Sequence, residues 1–359
     1  MHVILFLNHS CNLACRYCYN GQKFHRPMSL EMIEKGIDFA FSAGDVRITF
    51  FGGEPLLEFE SIRHAVAYAQ KKSKETQKKL LRFSLTVNGT LLDDKKLAYF
   101  KEENFFVAVS LDGIPEANDF HRVYTDGSPS YTDVVRGLDL VKKYYGKTAT
   151  SSTVDPGTVQ WLSQSFLHIV ELGVSRFSFN FNYDAPWNED TLDVYKHQMA
   201  LVTEHYINAF RAGNAINYTT FTSKIRGHLN GRLRSKCLFG EGEVTLAPSG
   251  RLYPCERLVG EDMGGELCIG DIDKGIDLHK VLAFKKARLH TDVECSACQV
   301  ESRCIHFCGC VNWSTTGTIG NVSSLLCDVE QTTIQCADRA ASVLYEEKNP
   351  AFLKMFYGV

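Results

Sequence analysis

What this chain lacks narrows it first. It has no excess of either charge: 39 Lys and Arg stand against 42 Asp and Glu, for a formal charge of -3. Their interspersion forms no basic face, so a nucleic-acid partner is not indicated. No apolar run reaches membrane-spanning length. The opening residues Met1-His2-Val3-Ile4-Leu5-Phe6-Leu7 lack the basic start and the apolar length of a signal peptide. Cysteine is what the chain has in abundance. Thirteen cysteines in 359 residues, without an export signal, point to a reducing cytoplasm, where thiols bind metal or do redox work instead of pairing. A hydrophobic content of 44% is that of a globular soluble enzyme with room for two domains or one elaborated α/β domain.

Three of those thiols sit together in Cys11-Asn12-Leu13-Ala14-Cys15-Arg16-Tyr17-Cys18-Tyr19, directly after a short apolar strand. Thiolates at C-x3-C-x2-C spacing can hold three corners of an iron–sulfur cube, where a structural cube takes four. One iron stays open, as in a catalytic metal site, and something other than protein is expected to ligate it. This motif, with an aromatic residue just before its last cysteine, resembles the signature of the radical S-adenosylmethionine (radical SAM) enzymes. The resemblance implies that Cys11, Cys15 and Cys18 hold a [4Fe-4S] cluster whose open iron chelates the amino and carboxylate groups of SAM.

Apolar, β-rich runs recur at Val3–Leu7, Val46–Phe51, Phe83–Val87, Phe105–Leu111, Thr148–Val154 and Phe177–Phe181. Helical patterns separate them. Ser29 can cap a helix running toward Gly44, and further helices are expected at Phe59–Lys74, Asp133–Tyr145, Val159–Leu172 and Leu192–Ala212. Strands alternating with helices imply an α/β fold with a parallel sheet covered on both sides. Six units are too few for a closed barrel, so a partial (β/α)6 TIM-like barrel is expected, as the resemblance also implies. Ligands of such barrels sit at the carboxyl ends of the strands, where the cysteine loop lies.

Other strand ends extend the likeness. Gly52-Gly53-Glu54-Pro55 resembles the family's Gly-Gly-Glu-Pro element, which contacts the SAM amino group. Glycines permit close backbone approach and a carboxylate suits an ammonium. Thr86-Val87-Asn88-Gly89-Thr90 and Ser110-Leu111-Asp112-Gly113 are similar to segments near the ribose and methionine ends of SAM, implicating Thr86, Asn88, Ser110 and Asp112. Arg122, after His121, is a candidate cation for the SAM carboxylate.

The composition changes after about Arg232. Ten of the thirteen cysteines lie beyond Lys236, among turns and a hairpin-like pair Glu243–Ala247 and Arg251–Pro254. Three segments are therefore expected: a barrel over 1–232, a cysteine-rich module over 233–345 ending in an amphipathic helix Glu330–Glu346, and a tail over 346–359. The order Cys237, Cys255, Cys295, Cys298, Cys304, Cys308, Cys327 resembles the SPASM extension of radical SAM enzymes, which carries auxiliary [4Fe-4S] clusters. Position by position, the likeness assigns Cys295, Cys298, Cys304 and Cys327 to a distal cluster and Cys237, Cys255 and Cys308 to a proximal one, three clusters in all. The proximal set is one ligand short. Sulfatase-maturing relatives place another cysteine between the equivalents of Cys237 and Cys255, and here there is none. Cys268, Cys310 or a substrate thiolate are the alternatives, while Cys336 is expected to be a core thiol. A zinc ribbon of Cys295, Cys298, Cys304 and Cys308 is a further alternative that leaves Cys237, Cys255 and Cys327 without a role.

The resemblance implies reductive cleavage of SAM to a 5'-deoxyadenosyl radical that abstracts hydrogen from a peptide or protein substrate. An external donor such as a flavodoxin or ferredoxin is then a partner. Relatives crosslink ribosomally made precursor peptides through thioether, ether or carbon–carbon bonds, or oxidise a sulfatase cysteine or serine to formylglycine. A crosslinking maturase is the first expectation, sulfatase maturation the second, and a non-catalytic zinc or cluster scaffold the rival from another class. With strand one starting at residue 3, a separate leader-recognition protein, a leader docked on the barrel or a short substrate is expected. Glu256 stands where sulfatase maturases carry a catalytic aspartate and can serve as proton acceptor. The alternative for it is a surface ion pair with Arg251 or Arg257.

Overall fold

A computed structural model describes residues 1–231, 237–289 and 293–359. Its strands, in chain order, are β1 (His2–Phe6), β2 (Val46–Phe51), β3 (Leu80–Val87), β4 (Phe105–Ser110), β5 (Ala149–Val154), β6 (Arg176–Phe181), β7 (Asn217–Tyr218), β8 (Glu243–Leu246), β9 (Arg251–Tyr253), β10 (Gly270–Asp271) and β11 (Gly275–Ile276). Helices follow the strands as expected of an α/β fold. Ser29 does cap the first, Leu30–Ser42, its side chain accepting from Met32 N. No helix among the described residues is long and apolar enough to cross a membrane.

The chain forms two compact units. One comprises Met1–Ser110, Arg122–Gly146 and Leu238–Ala287; the other comprises Leu111–His121, Lys147–Cys237 and Arg288–Val359. These units cut across the division expected near residue 232, a boundary that itself lies outside the described residues.

In the first unit β1, β2, β3 and β4 pair in parallel in that order. β8 joins β1 on its other side, also in parallel, with His2 opposite Glu243 and Leu5 opposite Leu246. β9 then pairs antiparallel with β8, and β10 and β11 continue that antiparallel edge. The hairpin was expected inside a separate module, but it extends the main sheet. Its first strand carries Val244 and Leu246, both fully buried, and its pairing with β1 carries them into the core beneath the main sheet. Phe50, Phe83, Phe100 and Phe105 stack beneath the sheet with ring centroids 4.8–6.1 Å apart.

Cover on both faces was also expected, and the sheet differs. β1 is buried along nearly all its length, but β2 and β3 alternate buried Ile48, Phe50, Phe83 and Leu85 with half-buried Thr49, Ser84 and Thr86. Thr49 and Ser84 share a hydrogen bond of 2.7 Å. Hydroxyls cannot be sealed under apolar helices without a lasting desolvation cost, so one face stays polar.

In the second unit β5, β6 and β7 pair in parallel. Its core is aromatic: Phe166, Phe177, Tyr218 and Phe221, with Tyr206 against Phe221 at 5.3 Å. The expected Val159–Leu172 helix is a 3-10 turn, Val159–Trp161, running into Leu162–Glu171. The C-terminal helix starts earlier than expected, at Ser324, capped by Ser323 through Leu326 N–H, and ends at Glu346.

Candidate metal centres and the strand-end site

In the first unit the parallel strands β1 to β4 end on the same side, and each end carries one of the expected elements. The residues after β1 are threaded tightly. Leu7 N–H donates to Phe51 O, Gly53 N–H to Asn8 O at 2.9 Å, and Glu54 N–H to Ser10 O at 2.9 Å. Gly52 has φ +139°, and a Cβ there would meet Asn8 O at 2.5 Å; one on Gly53 would meet Ser10 O at 2.1 Å. The two glycines are what lets the turn after β2 press against the residues that lead into Cys11.

The cysteine loop is held from the other side as well. Ala14 N–H donates to Val123 O at 2.8 Å, Leu13 bridges Tyr124, and the Arg122 guanidinium donates to the Tyr17 hydroxyl at 2.7 Å. Cys11, Cys15 and Cys18 are all half-buried. Burial, reinforced by the neighbouring Glu54 carboxylate, pushes the Cys11 thiol up to about 12. Lys23 Nζ lies 2.8 Å from Cys18 Sγ. Three half-buried thiols on a loop fixed at both flanks suit three corners of an iron–sulfur cluster, and metal coordination deprotonates such thiols outright.

Glu54 is 1% exposed. Its carboxylate accepts from Leu56 N at 3.0 Å and Asn88 N at 2.8 Å, tying the ends of β2 and β3 together. Burial outweighs those hydrogen bonds and the Arg122 charge, raising its carboxyl to about 7. Asn88 donates to Asn12 Oδ1 at 2.7 Å and accepts from Thr90 N, while Asn12 donates to Thr90 Oγ1. Thr86 and Ser110 are half-buried on the same strand ends. In the second unit Asp112 accepts from Thr153 N at 2.8 Å, at the end of β5.

Cys255 follows β9 in the first unit and is 7% exposed. Its Sγ lies 3.6 Å from Glu256 Oε2. Burial raises the Glu256 carboxyl, the nearby Glu243 charge adds to it, and His2 opposes. Arg251, one of the alternative surface partners, is engaged with Asp262 instead, donating to its carbonyl at 2.7 Å. Tyr19, next to Cys18, stacks on Phe51, lies under the Arg257 guanidinium at 5.0 Å, and feels both Glu256 and Cys255. Within this unit, then, the N-terminal cysteine loop and the Cys255-Glu256-Arg257 segment share Tyr19 as a neighbour. Cys268 also belongs here, its thiol donating to Gly270 O at 3.2 Å and packing against Phe6, Ala247, Tyr253 and Val259.

The remaining cysteines belong to the second unit. Cys295, Cys298, Cys304 and Cys327 line one cavity of about 310 Å³. Cys298 N–H turns back to Cys295 O, Cys304 N–H to Glu301 O, and Cys327 occupies the first turn of the helix Ser324–Glu346. Burial and then the Glu330 carboxylate push the Cys304 thiol up to about 12; burial, Cys295 and Cys298 raise Cys327. Four thiols around one cavity, one of them at a helix N-terminus whose dipole favours negative charge, suit a cluster with four protein corners. Cys308 and Cys310 place their sulfurs 3.5 Å apart, and Cys237 O accepts from Arg288 at 2.7 Å. Cys336 is half-buried next to Thr203, as a core thiol would be. Among the described residues no three His, Cys, Asp or Glu side chains gather as a single metal ion requires.

Sequence reasoning did not single out Asn12, Lys23 or the shared position of Tyr19. Asn12 and Tyr19 lie inside the motif and could have been flagged; Lys23 lies five residues beyond Cys18, with no local pattern to mark it.

Comparison with known proteins agrees with this geometry. Residues 6–160 match the model of the radical SAM superfamily. An uncharacterized protein of Methanocaldococcus jannaschii is 30% identical over 180 residues, 50% of this chain and 62% of that one. A serine-type anaerobic sulfatase-maturating enzyme of Bacteroides thetaiotaomicron is 37% identical over 149 residues, 37% of this chain and 34% of that one. These two alignments thus span less than two thirds of the relatives' lengths. A cysteine-type anaerobic sulfatase-maturating enzyme of Clostridium novyi is similar over more, 23% identical across 83% of this chain and 85% of its own. The solved structure of native anSMEcpe with bound AdoMet and the Cp18Cys peptide shares the fold, with a TM-score of 0.81 and 20% identity over 96% of this chain and 99% of that one. Residues 6–160 are therefore similar to the radical SAM superfamily, and the chain shares the fold of the anSMEcpe structure.

Proposed function

We propose that this enzyme oxidises a side chain of a peptide substrate, in the manner of the anaerobic sulfatase maturases. Cys11, Cys15 and Cys18 would hold a [4Fe-4S] cluster which, with SAM, would supply the radical chemistry that removes one hydrogen atom from the substrate. The chain's own residues do the rest. Gly52, Gly53 and Glu54, with Thr86, Asn88, Ser110, Asp112 and Arg122, line or support the strand ends where SAM binds. Glu256 takes the proton of the substrate's thiol or hydroxyl, and a cluster held by the later cysteines would supply an acceptor for the remaining electron. The loss of one hydrogen atom, one proton and one electron converts CH–OH to C=O, or CH–SH to C=S, which water hydrolyses.

The observation that carries this reading is the Glu256 carboxyl: half-buried, raised by desolvation, and 3.6 Å from the Cys255 thiol. A base with a raised pKa is closer to the working pH. We assign Cys295, Cys298, Cys304 and Cys327 to one auxiliary cluster and Cys237, Cys255 and Cys308 to a second, for three clusters in all. An external flavodoxin- or ferredoxin-like donor completes the cycle, in the cytoplasm.

A second reading, crosslinking of a ribosomally made precursor, is favoured by one feature. No cysteine lies in Leu238–Pro254, so an iron of the cluster at Cys255 is left for Cys268, Cys310 or a substrate thiolate. The test is anaerobic incubation of reconstituted enzyme with SAM, dithionite and a sulfatase-type peptide bearing cysteine or serine. A hydrazide-reactive aldehyde on that residue establishes the first reading. SAM cleavage without any aldehyde on either peptide sinks it and leaves the crosslinking reading. Glu256→Gln should cut peptide oxidation by about 10²–10⁴-fold while 5'-deoxyadenosine still forms; an unaffected variant removes Glu256 from the chemistry.

A further inference from the structure

The helix Ser324–Glu346 sets Cys327 and, three residues later, Glu330 on one face, and both line the four-thiol cavity. Glu330 is 5% exposed and Lys224, on the helix Thr219–Leu229, is 3% exposed. Lys224 Nζ lies 2.5 Å from Glu330 Oε2. The contacts beyond this ion pair matter more. Glu330 Oε2 also accepts from Ile305 N at 2.8 Å, and Lys224 Nζ also donates to Arg303 O at 2.9 Å. Arg303 and Ile305 flank Cys304, so the pair grips the backbone on both sides of one thiol. The Arg303 side chain is fixed too, donating to both oxygens of Asp338 on the same helix as Cys327, at 2.5 and 2.8 Å.

A buried ion pair is a poor device for stability alone, because well-packed apolar residues of similar volume often do as well. Its position at the wall of a sulfur-lined cavity gives it other work. We propose that Lys224 and Glu330 are positioning residues for the four-thiol centre: they aim Cys304 into the cavity, and their balanced charges set the reduction potential of the cluster held there. This rests on the assignment of Cys295, Cys298, Cys304 and Cys327 as its ligands. Reduction adds negative charge to the cluster, so a nearby anion opposes it and a nearby cation favours it. In the native chain the two offset each other. Glu330→Gln keeps an oxygen for Ile305 N–H but leaves Lys224 unbalanced, and the potential moves up. Lys224→Met strands the carboxylate, and the potential moves down.

The experiment is an EPR-monitored redox titration of the reconstituted full-length enzyme, in a C11A/C15A/C18A background that removes the N-terminal cluster. With native iron content, an upward shift in Glu330→Gln and a return toward the native value in the K224M/E330Q double variant uphold the proposal. A native potential in a fully loaded Glu330→Gln overturns it. Should that single variant not fold, the double variant, which carries no stranded charge, decides through the g-values: its lost bond to Arg303 O alters them, and a spectrum identical to the native one overturns the positioning role. Cys327→Ala separates this from the ligand assignment. Loss of cluster iron there supports the assignment, and unchanged iron overturns the assignment and the proposal with it.

Discussion

Gly53 has no room for a methyl group, since a Cβ would sit 2.1 Å from Ser10 O and 2.9 Å from His9 O, both backbone atoms of the segment leading to Cys11. Backbone cannot swing aside as a flexible side chain can, so Gly53→Ala is expected to cost about 1–3 kcal/mol and to reduce iron at the N-terminal site. A thermal midpoint and an iron assay check it. Cys15→Ala is expected to abolish 5'-deoxyadenosine formation and leave auxiliary iron in place; unchanged SAM cleavage ends the assignment of that loop. Glu54 carries a pH signature. Its folded carboxyl, at about 7, lies above the ordinary glutamate value of 4.5, so between the two the folded chain holds a proton that the unfolded chain has released. Unfolding free energy therefore falls as pH rises from about 4.5 through about 7 and levels off above, by at most about 3 kcal/mol from this group. Glu54→Gln should remove that slope, which denaturant titrations at about pH 5 and about pH 8 compare directly. A variant with the native slope would assign the slope to other groups. The sequence marked these residues by type and order, because glycines and a carboxylate after a cysteine loop have few other uses. It did not disclose that Glu54 also staples β2 to β3, since its acceptor role toward Asn88 N depends on a parallel pairing invisible in local pattern.

The helix Ser324–Glu346 brings one of the four thiols to the cavity of the second unit. Cys327 lies in its first turn, Glu330 in the next, and Cys336 two turns further along its buried side. Ser323 fixes its start by accepting from Leu326 N at 3.2 Å. Ser323→Ala is expected to cost about 1 kcal/mol and, by fraying the turn that holds Cys327, to loosen iron at the four-thiol cavity. Equal iron retention on chelator challenge would show that the cap serves the helix alone. Helix periodicity located this element but started it at Glu330, because the polar turn before it reads as loop until its cap is known. The hairpin was likewise legible as a hairpin. Its attachment to β1 was not, for the partners His2 and Glu243 stand 241 residues apart.

At the scale of the molecule, cysteine count and order spoke more clearly than the division of the chain. The composition change after Arg232 is real, yet compactness follows contacts: residues 238–287 belong with the first strands and 288–359 with the later ones. The whole-chain prediction is an iron content of about twelve per chain, falling to about eight in C11A/C15A/C18A. A native total near eight would remove one auxiliary cluster, and zinc in place of iron would overturn the cluster assignments.

The parallel seam between β1 and β8 also dictates an order of events at the ribosome. β1 is made 241 residues before its partner on that side, so its second edge stays open until Glu243–Leu246 emerge, some tens of seconds later at about 5–20 residues per second. Until then a nascent chain displays an unpaired apolar edge beside three thiols, and Tyr19 has neither Glu256 nor Arg257 for company. Maturation of the centre at Cys11, Cys15 and Cys18 is thus coupled to translation of β8: a ribosome stalled between the two strands holds a cysteine loop whose surroundings are unfinished, open to oxidation and to strand exchange with its neighbours on the same polysome.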